Sequence, residues 1–321
     1  MPASLLPSSS RRSKPAPPAL SEDFILRLAA KLFPAGLRPL PNVLLGVGDD
    51  AAVLRPLPHR TAPIFTIDSL ACGTHFTPND PPRAVAWKAL AVNVSDIAAM
   101  GGLPAFALVS LGLPRHTTRS YVSALLRGLH RAAAALNLSI LGGDSIRADT
   151  IVISVAMIGF AHPRHLCTRS GARPGHLVAV TGPLGGSLAS GRHLRFSPRL
   201  QEAQWLVHHA KPSAMMDLSD GLALDASRLA AASNVSLHLQ SHAIPRHRNA
   251  SLSAALNDGE DFELLCTFPP RSLSPNLLRA YHQHFRKPLY LIGRVLAGPP
   301  VVCLDDKPLV PHAFEHFSPQ S

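Results

Sequence analysis

Residues 82–102 read Pro-Arg-Ala-Val-Ala-Trp-Lys-Ala-Leu-Ala-Val-Asn-Val-Ser-Asp-Ile-Ala-Ala-Met-Gly-Gly. Proline is tolerated in a first helical turn and a glycine pair stops a helix, so the spacing predicts one over Pro82 to Met100. From Ala84 to Met100 the stretch is largely apolar, and Asp96 interrupts it. A buried carboxylate without a partner costs several kcal/mol. Asp96, with Asn93 and Ser95 beside it, is therefore expected to have a function.

Working outward, Ile64 to Ile67 is expected as a buried strand ending at Asp68. A Gly-Asp turn at Gly46 to Asp50 precedes it. A helix is expected from Ser21, with Phe24, Ile25, Leu28 and Leu32 at helical spacing. Downstream, Phe106 to Leu113 and Thr150 to Phe160 read as strands and Thr118 to Leu136 as an amphipathic helix. Ser139 to Leu141 reads as a short strand running into Gly142-Gly143-Asp144.

The Pro/Gly/Arg segment His162 to Pro174 is taken as a boundary. Beyond it, His176 to Thr181, Ala214 to Asp217, Phe262 to Phe268 and Leu289 to Val295 read as strands, and Leu222 to Ala232 as a helix. Gly182 to Gly191 is compatible with a phosphate cradle or a plain loop. Strict βαβ alternation is absent, which favours an α+β fold in two domains, 20–161 and 162–321. Residues 1–19, rich in Pro, Ser and Arg, are expected as a disordered basic tail.

Composition narrows the function. The chain has 321 residues and a formal charge of +11, but its Arg and Lys are scattered and few aromatics interleave with them, which disfavours a nucleic-acid partner. No apolar run reaches the length of a membrane span. The four cysteines form no Cys-x-x-Cys pair, so neither a zinc site nor a disulfide framework is expected. The acids are concentrated in Asp49-Asp50, Asp68, Asp96, Asp144, Asp217/Asp220 and Asp258 to Glu263. Carboxylates of this kind are the oxygen ligands that hard Mg2+ prefers. There is no P-loop, no protein-kinase signature and no Gly-x-Ser-x-Gly elbow.

The motifs, taken in order, are Gly46-Val-Gly-Asp-Asp-Ala-Ala-Val-Leu54, Thr66-Ile-Asp-Ser-Leu-Ala-Cys-Gly-Thr-His-Phe76, Trp87 to Gly101, Gly142-Gly-Asp144, Thr168-Arg-Ser-Gly-Ala-Arg-Pro-Gly175, Met216-Asp-Leu-Ser-Asp-Gly221 and Gly259-Glu-Asp-Phe-Glu-Leu264. Together they resemble the thiamine-monophosphate kinase family, within the superfamily of aminoimidazole ribonucleotide synthetase. The resemblance implies ATP-dependent phosphorylation of thiamine monophosphate, several Mg2+ ions, a cytoplasmic homodimer built on the N-terminal domain, and no nucleic-acid or membrane partner. It implies metal contacts at Asp50, Thr66, Ile67, Asp68, Asp96, Asp144, Asp217 and Asp220. It implies ATP contacts at Gly143, Asp144, Arg169 and Ser219, and substrate contacts at His75, Glu260 and Phe314. Ile67 stands where the family usually has Thr or Ser, so a metal contact there would come from the main chain.

The acceptor implied is a phosphate monoester whose second pKa is about 6, so it is largely ionised near neutral pH and requires no general base. The first alternative is another superfamily ATPase with a different acceptor, to be told apart at His75, Glu260 and Phe314. The second is a non-catalytic binding protein of the same fold, which the retained Asp set disfavours. Asp225 lies just beyond Asp220 and outside the motif, and is expected to have little bearing on activity.

Overall fold

The structure, a computed structural model, describes residues 43–45, 52–54 and 61–311. The tail, the helix from Ser21, the Gly46–Asp50 turn with Asp50, and Phe314 lie outside the described residues.

The first half is a six-stranded sheet, β1 (Val43–Leu45), β2 (Ala52–Leu54), β3 (Ala62–Ala71), β6 (Val152–Ala161), β4 (Leu103–Leu113) and β5 (Ser139–Arg147), in that spatial order. Two helices, α1 (Pro82–Ala99) and α2 (Arg119–Ala135), cover one face. Thr118 caps α2 by accepting from the Tyr121 amide at 3.2 Å. The covered face buries Ile64, Leu70, Val109, Leu111, Ile153, Val155 and Met157. The opposite face leaves Ile67, Leu108, Leu141 and Ile146 more than half exposed.

The second half is a seven-stranded sheet in the order β13 (Lys307–Pro308), β12 (Val302–Leu304), β9 (Ser236–Leu239), β11 (Tyr290–Leu296), β7 (Leu177–Val180), β10 (Leu264–Phe268) and β8 (Ala214–Asp217). Its pairings are antiparallel except β9 with β12. One face packs against α4 (Leu222–Ser233) and the other against α3 (Leu200–His209) and α6 (Pro275–Phe285). The short α5 (Leu252–Asn257) packs beside α4. The architecture is α+β, as expected.

Helix α1 is buried nearly all round, the pattern of a central helix rather than a surface one. Its early apolar residues belong to the core of the first sheet, whereas Ala98 and Ala99 pack with Ala203, Leu206 and Met215 of the second half. One helix therefore serves both halves.

Two expectations need correction. β3 runs on to Ala71, so Asp68 sits within a strand rather than at its end. β5 runs from Ser139 to Arg147, so Gly142-Gly143-Asp144 lies within the strand rather than beyond its end at Leu141. The glycine is required at 143 by close pairing: a Cβ there would lie 1.8 Å from the Val109 carbonyl oxygen, whereas one at Gly142 would meet nothing closer than 3.8 Å. Helices α3 and α6 and strand β9 are not among the expected elements, although Ser274 and Pro275 mark the start of α6 and the Ser274 hydroxyl accepts from the Leu277 amide at 3.2 Å.

Gly143→Ala should force β4 and β5 apart and lower stability by on the order of 2 kcal/mol. Gly142→Ala should stay near wild type. Urea denaturation of the two variants checks the contrast.

Candidate active site

The two halves meet over a cleft of about 320 Å3. Strand β3 gives it Asp68, the turn after β3 gives His75, and α1 gives Lys88 and Asp96. The end of β8 adds Asp217, the segment after it Ser219 and Asp220, and the turn before β10 adds Asp258 and Glu260. Positions far apart in sequence thus converge at one place.

Two short hydrogen bonds fix the centre. Thr66 Oγ1 donates to Asp96 Oδ2 at 2.5 Å, joining β3 to α1. Ser95 Oγ donates to Asp217 Oδ2 at 2.6 Å, joining α1 to β8. The odd polar positions of the apolar helix are therefore its links to both sheets. The Thr66 hydroxyl is engaged with Asp96, and the Ile67 side chain lies on the open face of the sheet, 68% exposed. Neither side chain lines the cleft.

The turn around Glu260 is held by its backbone. The Glu260 amide donates to Ser219 O at 2.7 Å and the Phe262 amide to Leu218 O at 2.8 Å. Gly259, Glu260 and Phe262 all have positive φ (70°, 58° and 51°), a strained arrangement for the latter two. Phe262 stacks on Phe196, ring centroids 4.1 Å apart. His75 Nδ1 accepts from the Ala71 amide at 3.0 Å, which leaves the proton of a neutral ring on Nε2.

The Gly182–Gly191 loop is tied down. The Gly185 amide donates to Asp261 Oδ2 at 2.8 Å and the Gly186 amide to Asp258 Oδ2 at 3.0 Å. Those amides serve the Glu260 turn rather than a phosphate cradle. Glu263 is a supporting group: it accepts from Thr181 Oγ1 at 2.6 Å and pairs with Arg199.

Asp225 is not the bystander expected. It is fully buried, its Oδ2 accepts from the Asp220 amide at 3.0 Å, and its Oδ1 pairs with Arg228 at 2.9 Å. Arg228 also pairs with Asp220. Helical spacing alone could not show that an i+5 carboxylate turns back on the preceding loop.

Gly143 and Asp144 line a different cavity, of about 990 Å3, between β5 and α2. Cross-strand partners run Asp68, Val155, Val109, Gly143 from β3 to β5. Three strand spacings separate Gly143 from Asp68, roughly 14 Å. Arg169 does not line the cleft; its carbonyl accepts from Ser233 Oγ at 2.7 Å.

Among the described residues, no three His, Cys, Asp or Glu side chains converge closely enough to hold a metal ion by themselves. The donor set nonetheless suits magnesium, which is usually held by one or two carboxylates with substrate phosphates and water completing the shell. Asp68, Asp96, Asp217 and Asp220 line the cleft and could supply such carboxylates.

The family described as AIR synthase related protein, N-terminal domain, matches residues 48–161. Thiamine-monophosphate kinase of Bacillus subtilis is 36% identical over 70% of this chain and 78% of its own length. The chain belongs to the thiamine-monophosphate kinase family. The enzyme of the same name from Escherichia coli is 32% identical, over 86% of this chain and 93% of its own. Among solved structures, AaThiL complexed with AMPPCP and TMP superposes with a TM-score of 0.80 at 32% identity, covering 97% of this chain and 100% of that one. The hydrogenase maturation protein HypE in complex with ATP, at 19% identity and a TM-score of 0.66, shares the fold.

Sequence reasoning gave no role to Lys88 or Asp261 and set Asp225 aside. The signal for Lys88 was the same as for Asp96, a charge inside an apolar helix. Asp261 also yields a prediction. Burial raises its pKa to about 6 despite Arg192 at 2.6 Å. The folded-state value lies above the usual 3.8, so its contribution to stability is full below that pH and lost as pH rises through 6. Asp261→Asn should therefore gain on wild type across that window, by at most about 3 kcal/mol, as read by urea denaturation over a pH series.

Proposed function

We propose that this chain phosphorylates thiamine monophosphate to thiamine diphosphate, with ATP as donor, and that a second copy completes its site. The observation carrying the reading is the convergence of Asp68, Asp96, Asp217 and Asp220, drawn from both halves, on one cleft that also holds His75 and Glu260. The AaThiL structure, with both an ATP analogue and TMP, supports the choice of substrates.

Both reactants are phosphates, and their mutual repulsion is the main barrier to approach. Magnesium, when bound, supplies the positive charge that lets the two phosphates meet. The residues hold and orient. Asp96 and Asp217 are fixed by Thr66 and Ser95, so each carboxylate keeps one oxygen in a set direction. Asp220 is steadied by Arg228 and by Asp225 beneath its amide. His75 and Glu260 recognise thiamine monophosphate at the other side of the cleft, with Phe314 as a further contact. Arg169 and Ser219 serve the nucleotide, Asp50 adds a metal contact, and Thr66 and Ile67, whose side chains do not line the cleft, would add theirs through the main chain. No protein nucleophile or general base is needed.

The second copy answers the distance of Gly143 and Asp144. Among the described residues, β5 pairs only with β4, and β3 pairs with β2 only at Ile64 and Phe65. Two open edges and an apolar sheet face, with Ile67, Leu108, Leu141 and Ile146 exposed, suit closure of the sheet across a two-fold axis. Such closure brings the partner's β5 beside β3, and with it the partner's nucleotide-binding Gly143 and Asp144. In this reading the two sheets are two domains, 20–161 and 162–321, and the homodimer works in the cytoplasm without nucleic acid or membrane. Among the described residues no helix is long and apolar enough to cross a membrane.

Asp68→Asn, Asp96→Asn and Asp217→Asn should each cut turnover by more than about a hundredfold and raise the Mg2+ needed for half-maximal rate. A coupled assay with ATP and thiamine monophosphate checks this. Free thiamine should give no product, and its turnover at an equal rate would defeat the substrate assignment. Asp225→Asn should also lose activity, through Asp220.

Mixing inactive Asp68→Asn and Asp144→Asn proteins tests the shared site. Reassorted heterodimers keep one intact site, so activity should recover to about a quarter of wild type. A site built within one chain would recover nothing.

A further inference from the structure

We propose that Lys88 is a positioning residue for substrate recognition, its buried ammonium holding the Glu260 carboxylate and the His75 turn in fixed relation across the cleft. The inference rests on the reading that His75 and Glu260 contact thiamine monophosphate.

The Lys88 side chain is fully buried. Its Nζ lies 2.6 Å from Glu260 Oε2, donates to His75 O at 2.9 Å, and lies 3.0 Å from His193 Nδ1. Two hydrogen bonds, to His75 O and His193 Nδ1, and the ion pair with Glu260 surround the ammonium. These partners come from three segments: the turn after β3, the short helical turn Arg192–Leu194 and the turn before β10. A buried cation is tolerated only when its bonds are made, so the protein keeps these segments together or exposes an uncompensated charge.

The charges are arranged to match. Burial, then the nearby Lys88, lowers the His193 pKa to about 4, so this ring is neutral and accepts at Nδ1. The cation is thus directed at Glu260. Burial raises the Glu260 pKa and Lys88 opposes that rise. Without Lys88 the carboxylate loses the cation that faces it at 2.6 Å.

Helix α1 gives this a second consequence. Lys88 and Asp96 are eight residues apart on one helix, roughly 12 Å along its axis. The helix therefore sets the distance between the recognition pair and the carboxylates where phosphate chemistry occurs.

The test uses the full chain, with KM for thiamine monophosphate, KM for ATP, kcat and Tm measured for Glu260→Gln, Lys88→Met and the double variant. Glu260→Gln should raise KM for thiamine monophosphate at least about tenfold and leave KM for ATP nearly unchanged. Lys88→Met should show the same split. The double variant should stay within about threefold of the worse single, because both changes break one interaction.

If Glu260→Gln leaves KM for thiamine monophosphate unchanged, the substrate reading falls and the proposal with it. If Glu260→Gln raises that KM but Lys88→Met lowers only Tm, or affects both substrates alike, the proposal alone is overturned. Should Lys88→Met fail to fold, the double variant, which leaves neither charge, decides against Glu260→Gln. A KM within about threefold supports the proposal, and a further tenfold rise overturns it.

Discussion

The hydrogen bond from the Ser95 hydroxyl to the Asp217 carboxylate, at 2.6 Å, joins the central helix to the second sheet. Bonds to a charged acceptor are worth about 1.5–3 kcal/mol, more than most neutral ones. Its neighbour Asp96 takes the Thr66 hydroxyl of the first sheet. Two adjacent residues on α1 thus face opposite sheets, and the cleft is the space they leave. Were α1 amphipathic in the ordinary way, it would serve one core only. Because it is apolar nearly all round, its few polar positions must find partners inside the protein.

The same logic orders the outer parts of the site. Asp225 supports Asp220, Asp261 and Asp258 anchor the glycine loop, and Glu263 binds Thr181 and Arg199. In a basic protein these acids are not solubilising surface charge. They hold the loops that carry the inner carboxylates.

The fold class and the contributors to the cleft were legible because glycines, prolines and isolated acids stand out against apolar runs. Pro82 is the first residue of α1, and Gly101 lies two residues past its last, Ala99. The misreadings have physical causes. The strand expected to end at Leu141 continues through Gly142-Gly143, where Gly143 admits close backbone pairing that side-chain pattern does not reveal. Asp225 looked incidental because its contact is made by folding back on a loop. The separation of Asp144 from Asp68 depends on strand order, and order across a sheet is not written in any local segment.

The turn bearing Glu260 shows how stability and recognition oppose each other here. Glu260 and Phe262 both occupy left-handed backbone, where glycine is at ease and other residues lose roughly 1 kcal/mol or more each. Selection for durability alone would favour glycine at both. Retaining a carboxylate and an aromatic ring there means that the conformational cost is met once, during folding, and not again each time a substrate arrives.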